Sequence, residues 1–259
     1  MIITKLQGGL GNQIFQWAYG KFLSEKYNTP LYLDANFYSH QYGVTFREFS
    51  LCKFPNLKYQ LISEYSKLDR GVIQVSDNFI YKNINYNPDR NYYLNGYWQS
   101  EKYFVEIQDL IRSELKPSPE FFKKFNYLFG NNNISMHIRR TDYVTSNGYH
   151  PVQTIEYYNQ AIEIIGDYDN ILVFSDDIKW CKENLKFRDI IFIDGNDDIE
   201  DLWIMSTCKD NVIANSSFSW WGAWLNQNRN KKVICPKNWF GSQSNIDDRD
   251  IVPSTWIKI

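Results

Sequence analysis

Ile134-Ser135-Met136-His137-Ile138-Arg139-Arg140-Thr141-Asp142-Tyr143 carries a short β-rich run straight into two arginines. Similar short runs recur at Ile171–Phe174, Ile190–Ile193, Asn211–Ala214 and Lys232–Cys235, and helical stretches separate several of them, at Ile155–Ile165, Ile178–Leu185 and Ile199–Met205. Strands alternating with helices predict a parallel sheet with right-handed crossovers. The second half therefore reads as a doubly wound α/β domain.

The first half opens in the same way. Ile2-Ile3-Thr4-Lys5-Leu6 is a short strand that enters Gly8-Gly9-Leu10-Gly11. Ile14, Phe15, Ala18, Tyr19, Phe22 and Leu23 then give one apolar helical face, and Leu31-Tyr32-Leu33 follows as a second strand, a complete βαβ unit. Residues 40–95 are polar, aromatic and rich in Asn without a clear period, and read as loops and short elements. Tyr103–Leu115 reads as a helix, Lys116-Pro117-Ser118-Pro119 as a boundary, and Asn131-Asn132-Asn133 as a turn signal. We expect an N-terminal domain over residues 1–125 and a C-terminal one over 126–259.

Composition narrows the function classes. Hydrophobic residues are 43% and charged residues 22%, as in folded globular proteins. Aromatics reach 17%, which suits either large core side chains or surfaces that stack on the apolar faces of sugars. A formal net charge of −2 excludes a general attraction to nucleic acid or anionic lipid, so an anionic ligand needs local cations. Cys52, Cys181, Cys208 and Cys235 are scattered and read as reduced thiols. No signal-peptide-like stretch opens the chain and none approaches a bilayer span, so a cytoplasmic protein is expected.

Ligands of an open parallel sheet bind beyond the carboxyl ends of its strands. The segments that follow the five strands of the second half are Arg139–Tyr143, Ser175-Asp176-Asp177, Asp194–Asp198, Asn215–Phe218 and Pro236–Trp239. They bring cations, carboxylates, hydroxyls and rings to one edge. Guanidinium groups match phosphate oxygens bidentately. Alternation along a strand predicts that one arginine of the pair meets the ligand while the other braces it. Asp142 is placed either to orient an arginine or to act as a base. Asn215-Ser216-Ser217 ahead of Phe218–Leu225 reads as a helix start, whose free N–H groups favour an anion. Arginines beside a helix start suggest a diphosphate.

Other signals are weaker. Gly9-x-Gly11 fits part of a dinucleotide fingerprint, but Ile14 replaces the third glycine, so a dehydrogenase is disfavoured. The glycines still mark a tight turn, with Asn12 and Gln13 offering amides. Asp167-Tyr168-Asp169 and Asp248-Arg249-Asp250 match an Asp-x-Asp pattern but follow no predicted strand. His40, His137 and His150 lie far apart, so no metal is expected. A carbohydrate-binding protein without turnover remains an alternative that would have no use for a diphosphate site.

Five blocks together resemble the α-1,2-fucosyltransferases of glycosyltransferase family 11. They are Gly8–Gln13, Gly96-Tyr97-Trp98-Gln99-Ser100 with Tyr103-Phe104, His137–Tyr143, Phe174–Asp177 and Asn215–Gly222, in the family's order. The resemblance implies two facing Rossmann-like domains in the GT-B arrangement, the first reduced in size. It implies GDP-fucose as donor, a galactose-containing glycan acceptor attacked through its 2-hydroxyl, inversion, and no required metal or other cofactor. It places the donor in the second half, with Arg139 on the β-phosphate, Arg140 in support, and Asp176, Asn215, Ser216, Ser217 and Phe218 around the donor. By similarity, Asp201 reads guanine and His137 lies against base or ribose. The acceptor belongs mainly to the first half, with Tyr97, Trp98 and Gln99 on its side together with His150. Asp142 and His150 are the candidate bases.

Overall fold

The computed structural model describes residues 1–42, 45–62, 72–77, 79–130, 132–146 and 148–259. The chain divides into two compact units, Met1–Lys116 with Ile246–Pro253, and Pro117–Asn245 with Ser254–Ile259. The expected division at 125/126 thus falls instead at the Lys116-Pro117 boundary. Helix α3 (Pro119–Lys124) belongs to the second unit because Phe121 packs edge-on against Trp203, ring centres 5.1 Å apart. Residues 246–253 return to the first unit, where Asp250 pairs with Lys102 at 2.5 Å and accepts the Tyr81 N–H at 2.9 Å.

The first unit is built on a four-stranded sheet. Strands β1 (Ile2–Lys5), β2 (Leu31–Asp34), β3 (Val72–Ser76) and β4 (Asn91–Asn95) lie in the order β2-β1-β4-β3, every neighbouring pair parallel. Helix α1 (Leu10–Tyr27) buries Ile14, Phe15, Trp17, Ala18, Tyr19, Phe22 and Leu23. At Gly20 a Cβ would collide with the Thr4 hydroxyl, so the glycine lets α1 lie close to β1. The helix stops at Asn28, which takes the left-handed conformation (φ 45°). The expected helix over 103–115 is instead two 3-10 turns, Glu101–Tyr103 and Val105–Ile107, leading into α2 (Gln108–Glu114).

Strands β3 and β4 lie within the stretch read as loops. Edge strand β3 leaves Ile73, Gln74 and Ser76 exposed, and β4 begins and ends on Asn, so neither shows an apolar run. Within that stretch, residues 43–44, 63–71 and 78 lie outside the described residues, as does Asn131 of the later Asn run.

The second unit holds six parallel strands, β5 (Ile134–Ile138), β6 (Ile171–Ser175), β7 (Ile190–Phe192), β8 (Asp210–Val212), β9 (Val233–Cys235) and β10 (Ile257–Lys258), in the order β10-β9-β8-β5-β6-β7. Besides α3, its helices among the described residues are the short α4 (Thr141–Val144), α5 (Ile155–Ile165), α6 (Ile178–Asn184), α7 (Asp198–Thr207) and α8 (Ser217–Leu225). The core gathers Met136 and Ile138 of β5, Val173 of β6, Val212 of β8, Ile234 of β9, and Tyr158, Ala161 and Ile165 of α5.

The second sheet is built outward from its middle strand β5, and that order locates the ligand edge. In the second unit the chain runs outward through β6 and β7 on one side of β5, then through β8, β9 and β10 on the other. The reversal lies between β5 and β8, where open α/β sheets leave a crevice. In the first unit the chain crosses from β2 to the opposite edge strand β3 and returns inward to β4, which lies beside β1.

Candidate functional site

The β5–β6 register decides what surrounds the arginines. Ile138 pairs with Ser175, so the chain leaves β5 as Arg139-Arg140 directly beside Asp176-Asp177 leaving β6. Asp176 holds three groups: its carboxylate accepts the Arg140 N–H at 2.9 Å, takes the Thr141 hydroxyl, and pairs with Arg139 at 3.1 Å. Asp142 pairs with Arg139 at 2.6 Å, one turn along. Burial works against the Arg139 charge, but Asp176 and Asp142 more than compensate and hold its pKa above the ordinary value. Arg140 goes elsewhere: its guanidinium sits 3.8 Å from the Trp180 ring centre, with Nε 3.4 Å from Asp177. Asp177 also caps α6 by accepting the Trp180 N–H at 3.1 Å.

Across the reversal, β8 runs into Asn215 and the start of α8. Both ends of the Asn215 amide are engaged within the unit: Nδ2 donates to the Trp239 carbonyl at 3.0 Å and Oδ1 accepts from Gln153 at 3.1 Å. Asn215 therefore acts as a strut. Ser216 is the N-cap, yet its hydroxyl makes no capping hydrogen bond, and no acidic residue stands in the first turn. The opening amides at Ser217 and Phe218 thus keep the character of an anion site. His137 is buried and meets Phe218 edge-on at 5.7 Å. Burial, aided by the Arg139 charge, lowers its pKa to about 3, and its buried Nδ1 has no hydrogen-bond partner. It is a neutral imidazole at any physiological pH.

Asp201 lies in the first turn of α7. Burial, with Asp197, Glu200 and Asp198 nearby, raises its pKa to about 7 against a single opposing hydrogen bond from Asn196 at 3.1 Å. A carboxylate so poorly supplied with donors suits a ligand that brings them.

His150, expected on the acceptor side but within the second domain, lies in the second unit. It stacks on Tyr143 at 4.6 Å with 12° between planes, and Phe240 lies 5.5 Å away. Burial lowers its pKa, partly opposed by Asp142.

In the first unit, the parallel pairing of β1 with β4 brings the glycine loop after β1 beside the segment after β4. Gly8 is left-handed (φ 78°), and Gly9 caps α1 through backbone geometry alone. Gly11 is buried. Gln13 does not present its amide outward. It donates to the carbonyls of Gly8 (3.1 Å) and Glu48 (2.7 Å) and accepts from the Ser50 and Leu51 N–H groups, pinning residues 48–51 to the glycine turn. Gln99 Nε2 donates to Asn12 Oδ1 at 2.8 Å. Trp98 is not a sugar platform: at 2% exposure and φ 55° it packs on Tyr19 and Tyr103 in the core. Asp77 holds that turn by accepting the Tyr97 and Trp98 N–H groups at 3.2 and 2.7 Å. Tyr97 is half-buried and stacks on Phe79 at 5.9 Å.

The Asp-x-Asp pairs serve local structure. Asp169 accepts the Asn132 N–H at 2.8 Å, and Asp250 is held by Lys102 and Tyr81. Sequence reasoning missed Trp180, Gln153 and Phe240, which support the site without standing in its motifs. Asp177 and Trp239 stood in segments read at the strand ends but were given no role of their own. Among the described residues, no helix is long and apolar enough to cross a membrane.

The chain has known relatives. A family model described as glycosyl transferase family 11 matches residues 1–259. An α-1,2-colitosyltransferase of Escherichia coli is 33% identical, with 100% of this chain and 99% of that protein covered. A galactoside 2-α-L-fucosyltransferase of Caenorhabditis elegans is 30% identical over 63% of this chain and 51% of that protein. Among solved structures, POFUT1 in complex with GDP matches with a TM-score of 0.53 at 13% identity, covering 90% of this chain and 97% of that one. That likeness concerns the fold, two α/β units on parallel sheets of the GT-B type. With arginines and a helix start on either side of the sheet reversal, and a family match from end to end, the chain belongs to glycosyl transferase family 11.

Proposed function

We propose that this glycosyltransferase moves L-fucose from GDP-fucose to the 2-hydroxyl of a galactose in a glycan acceptor, with inversion and without a metal ion. The observation that carries the reading is Arg139. It is held by two carboxylates at the end of β5, and the uncapped start of α8 follows β8 on the other side of the reversal. Both favour negative charge, which builds on the departing diphosphate as the glycosidic bond breaks. Fixed positive groups of this kind do the work a divalent cation does in other sugar transferases.

The remaining residues take roles consistent with their surroundings. Asp201 accepts the two N–H donors on the Watson–Crick edge of guanine, which satisfies its unmet need for donors. His137, neutral and buried against Phe218, lies by the base or ribose. Arg140, stacked on Trp180, braces the turn rather than touching the donor. Asp142 holds Arg139 through Oδ1, so taking a proton as a base would weaken that pair. His150, kept neutral by burial, is the better candidate to take the acceptor proton. Positioning of the acceptor supplies much of the remaining rate.

A second donor is favoured by one specific finding, the full-length similarity to a colitosyltransferase. Colitose is fucose without its 3-hydroxyl. A site built to hydrogen-bond that hydroxyl rejects the deoxy sugar by about 10⁴-fold, whereas an apolar site accepts either. Turnover of GDP-fucose and GDP-colitose side by side, with lactose as acceptor and product linkage read by NMR, decides the question. A fucosyl α-1,2 product and a donor ratio far above ten support the first reading. A preference for GDP-colitose replaces it, and another linkage refutes the 2-hydroxyl assignment.

A further inference from the structure

We propose that Tyr143 is a positioning residue that locks the Arg139 guanidinium to the start of α8, so that the two parts of the diphosphate cradle hold a fixed separation. The inference rests on the GDP-sugar reading and deepens it.

Asp142 and Asp176 tie Arg139 to the turns that follow β5 and β6. Tyr143 links it to the start of α8, on the other side of the sheet reversal. Arg139 Cζ lies 5.5 Å from its ring centre, and its hydroxyl donates to the Asn215 carbonyl at 3.0 Å, one residue before the N-cap Ser216. The far end of this link is rigid, because the Asn215 side chain is held by Trp239 and Gln153. The ring itself is also held, stacked on His150, which packs against Phe240 and meets Tyr149 edge-on at 4.7 Å. Gly241 N–H donates to the Tyr149 carbonyl at 2.9 Å, so the residues behind His150 are clasped as well.

The chemistry needs this rigidity. Two phosphate-binding groups on different strands discriminate the departing diphosphate only if their spacing varies by a fraction of an ångström. A single side chain in contact with both is a direct way to fix it.

The test uses the whole protein, with GDP affinity by calorimetry and separate KM values for donor and acceptor. Tyr143→Phe keeps the ring and loses the link. Its GDP affinity should fall about 3- to 10-fold while the acceptor KM stays within about twofold. Tyr143→Leu also removes the surface under the guanidinium and should cost about 10- to 100-fold. In an Arg139→Ala background either change should cost no more than about twofold, because the spacing no longer matters. If Tyr143→Leu does not fold, Tyr143→Phe in the same cycle decides. GDP affinities equal to wild type, or equal losses with and without Arg139, overturn the inference while leaving the GDP-sugar reading intact. A wild-type protein that does not bind GDP overturns both.

Discussion

Asp201 shows how one residue's surroundings convert into a measurable dependence on pH. Burial raises its folded pKa to about 7, against an ordinary carboxylate value near 3.8. The folded protein then holds a proton that the unfolded chain has released, so this group costs stability as pH rises from about 4 to 7. Asp201→Asn should therefore raise Tm at pH 8 by about 2–4 °C, the response of a chain of this size to ~1 kcal/mol, and should leave Tm at pH 4 unchanged. The same substitution should weaken GDP binding. In the wild type, GDP affinity should climb with pH up to about 7, because guanine needs the ionised carboxylate, and in Asp201→Asn that climb should vanish. A flat wild-type profile from pH 5.5 to 8 would remove Asp201 from the base site. Arg139 belongs to the same scale. Held by two carboxylates, it should not be replaceable by Lys, which offers a point charge without the planar fork, and Arg139→Lys should lose about 10²–10³ in kcat. Activity of Arg139→Lys within tenfold of wild type would contradict the bidentate role.

At the scale of elements, the sheet of the second unit was legible because β5, β6 and β9 are buried, largely apolar runs and α5 between two of them is amphipathic. The five strands from β5 to β9 and helices α5 to α8 fall within two residues of their sequence reading. In the first unit the same reasoning found β1, α1 and β2 but missed β3 and β4, since an exposed edge strand and a strand bounded by Asn show no pattern that tells them from loops. Individual roles were harder to read for a related reason. Gln13, Asn215 and Trp98 look like ligand groups in sequence, but each is used by a partner more than twenty residues away, or by the core, and only tertiary structure reveals that. The loop pair behind His150 gives the test at this scale. A Cβ at Gly241 would run into the Gly148 carbonyl, a backbone atom that cannot turn aside. Gly241→Ala should cost at least the upper part of ~1–3 kcal/mol in denaturant unfolding and should loosen the stack beneath Arg139, lowering GDP affinity. Stability within 0.5 kcal/mol of wild type, roughly the scatter of neutral surface changes, would show that the loops can separate freely.

For the molecule as a whole, two α/β units carry different kinds of edge. The second presents paired arginines, a helix start and a carboxylate, suited to a nucleotide diphosphate. The first presents a glycine turn, the Asn12–Gln99 amide pair and the Tyr97–Phe79 stack, to which the proposed function assigns the neutral sugar. That asymmetry is what a transferase with one charged and one uncharged substrate needs, and it is also why Trp98 and Gln13, both internal, do not weaken the assignment. On the proposed reading the charges that stabilise the leaving group are the protein's own, so turnover should be unaffected by EDTA. A loss of activity restored by Mg²⁺ or Mn²⁺ would contradict this. The central claim, that Arg139 and the start of α8 form a diphosphate site complete without metal, is tested most directly by calorimetric titration of GDP into wild type and Arg139→Ala in the presence of EDTA. The account predicts saturable one-site binding by wild type and an affinity at least about tenfold lower for the variant. Absence of binding by wild type, or equal affinity in the two proteins, would contradict it.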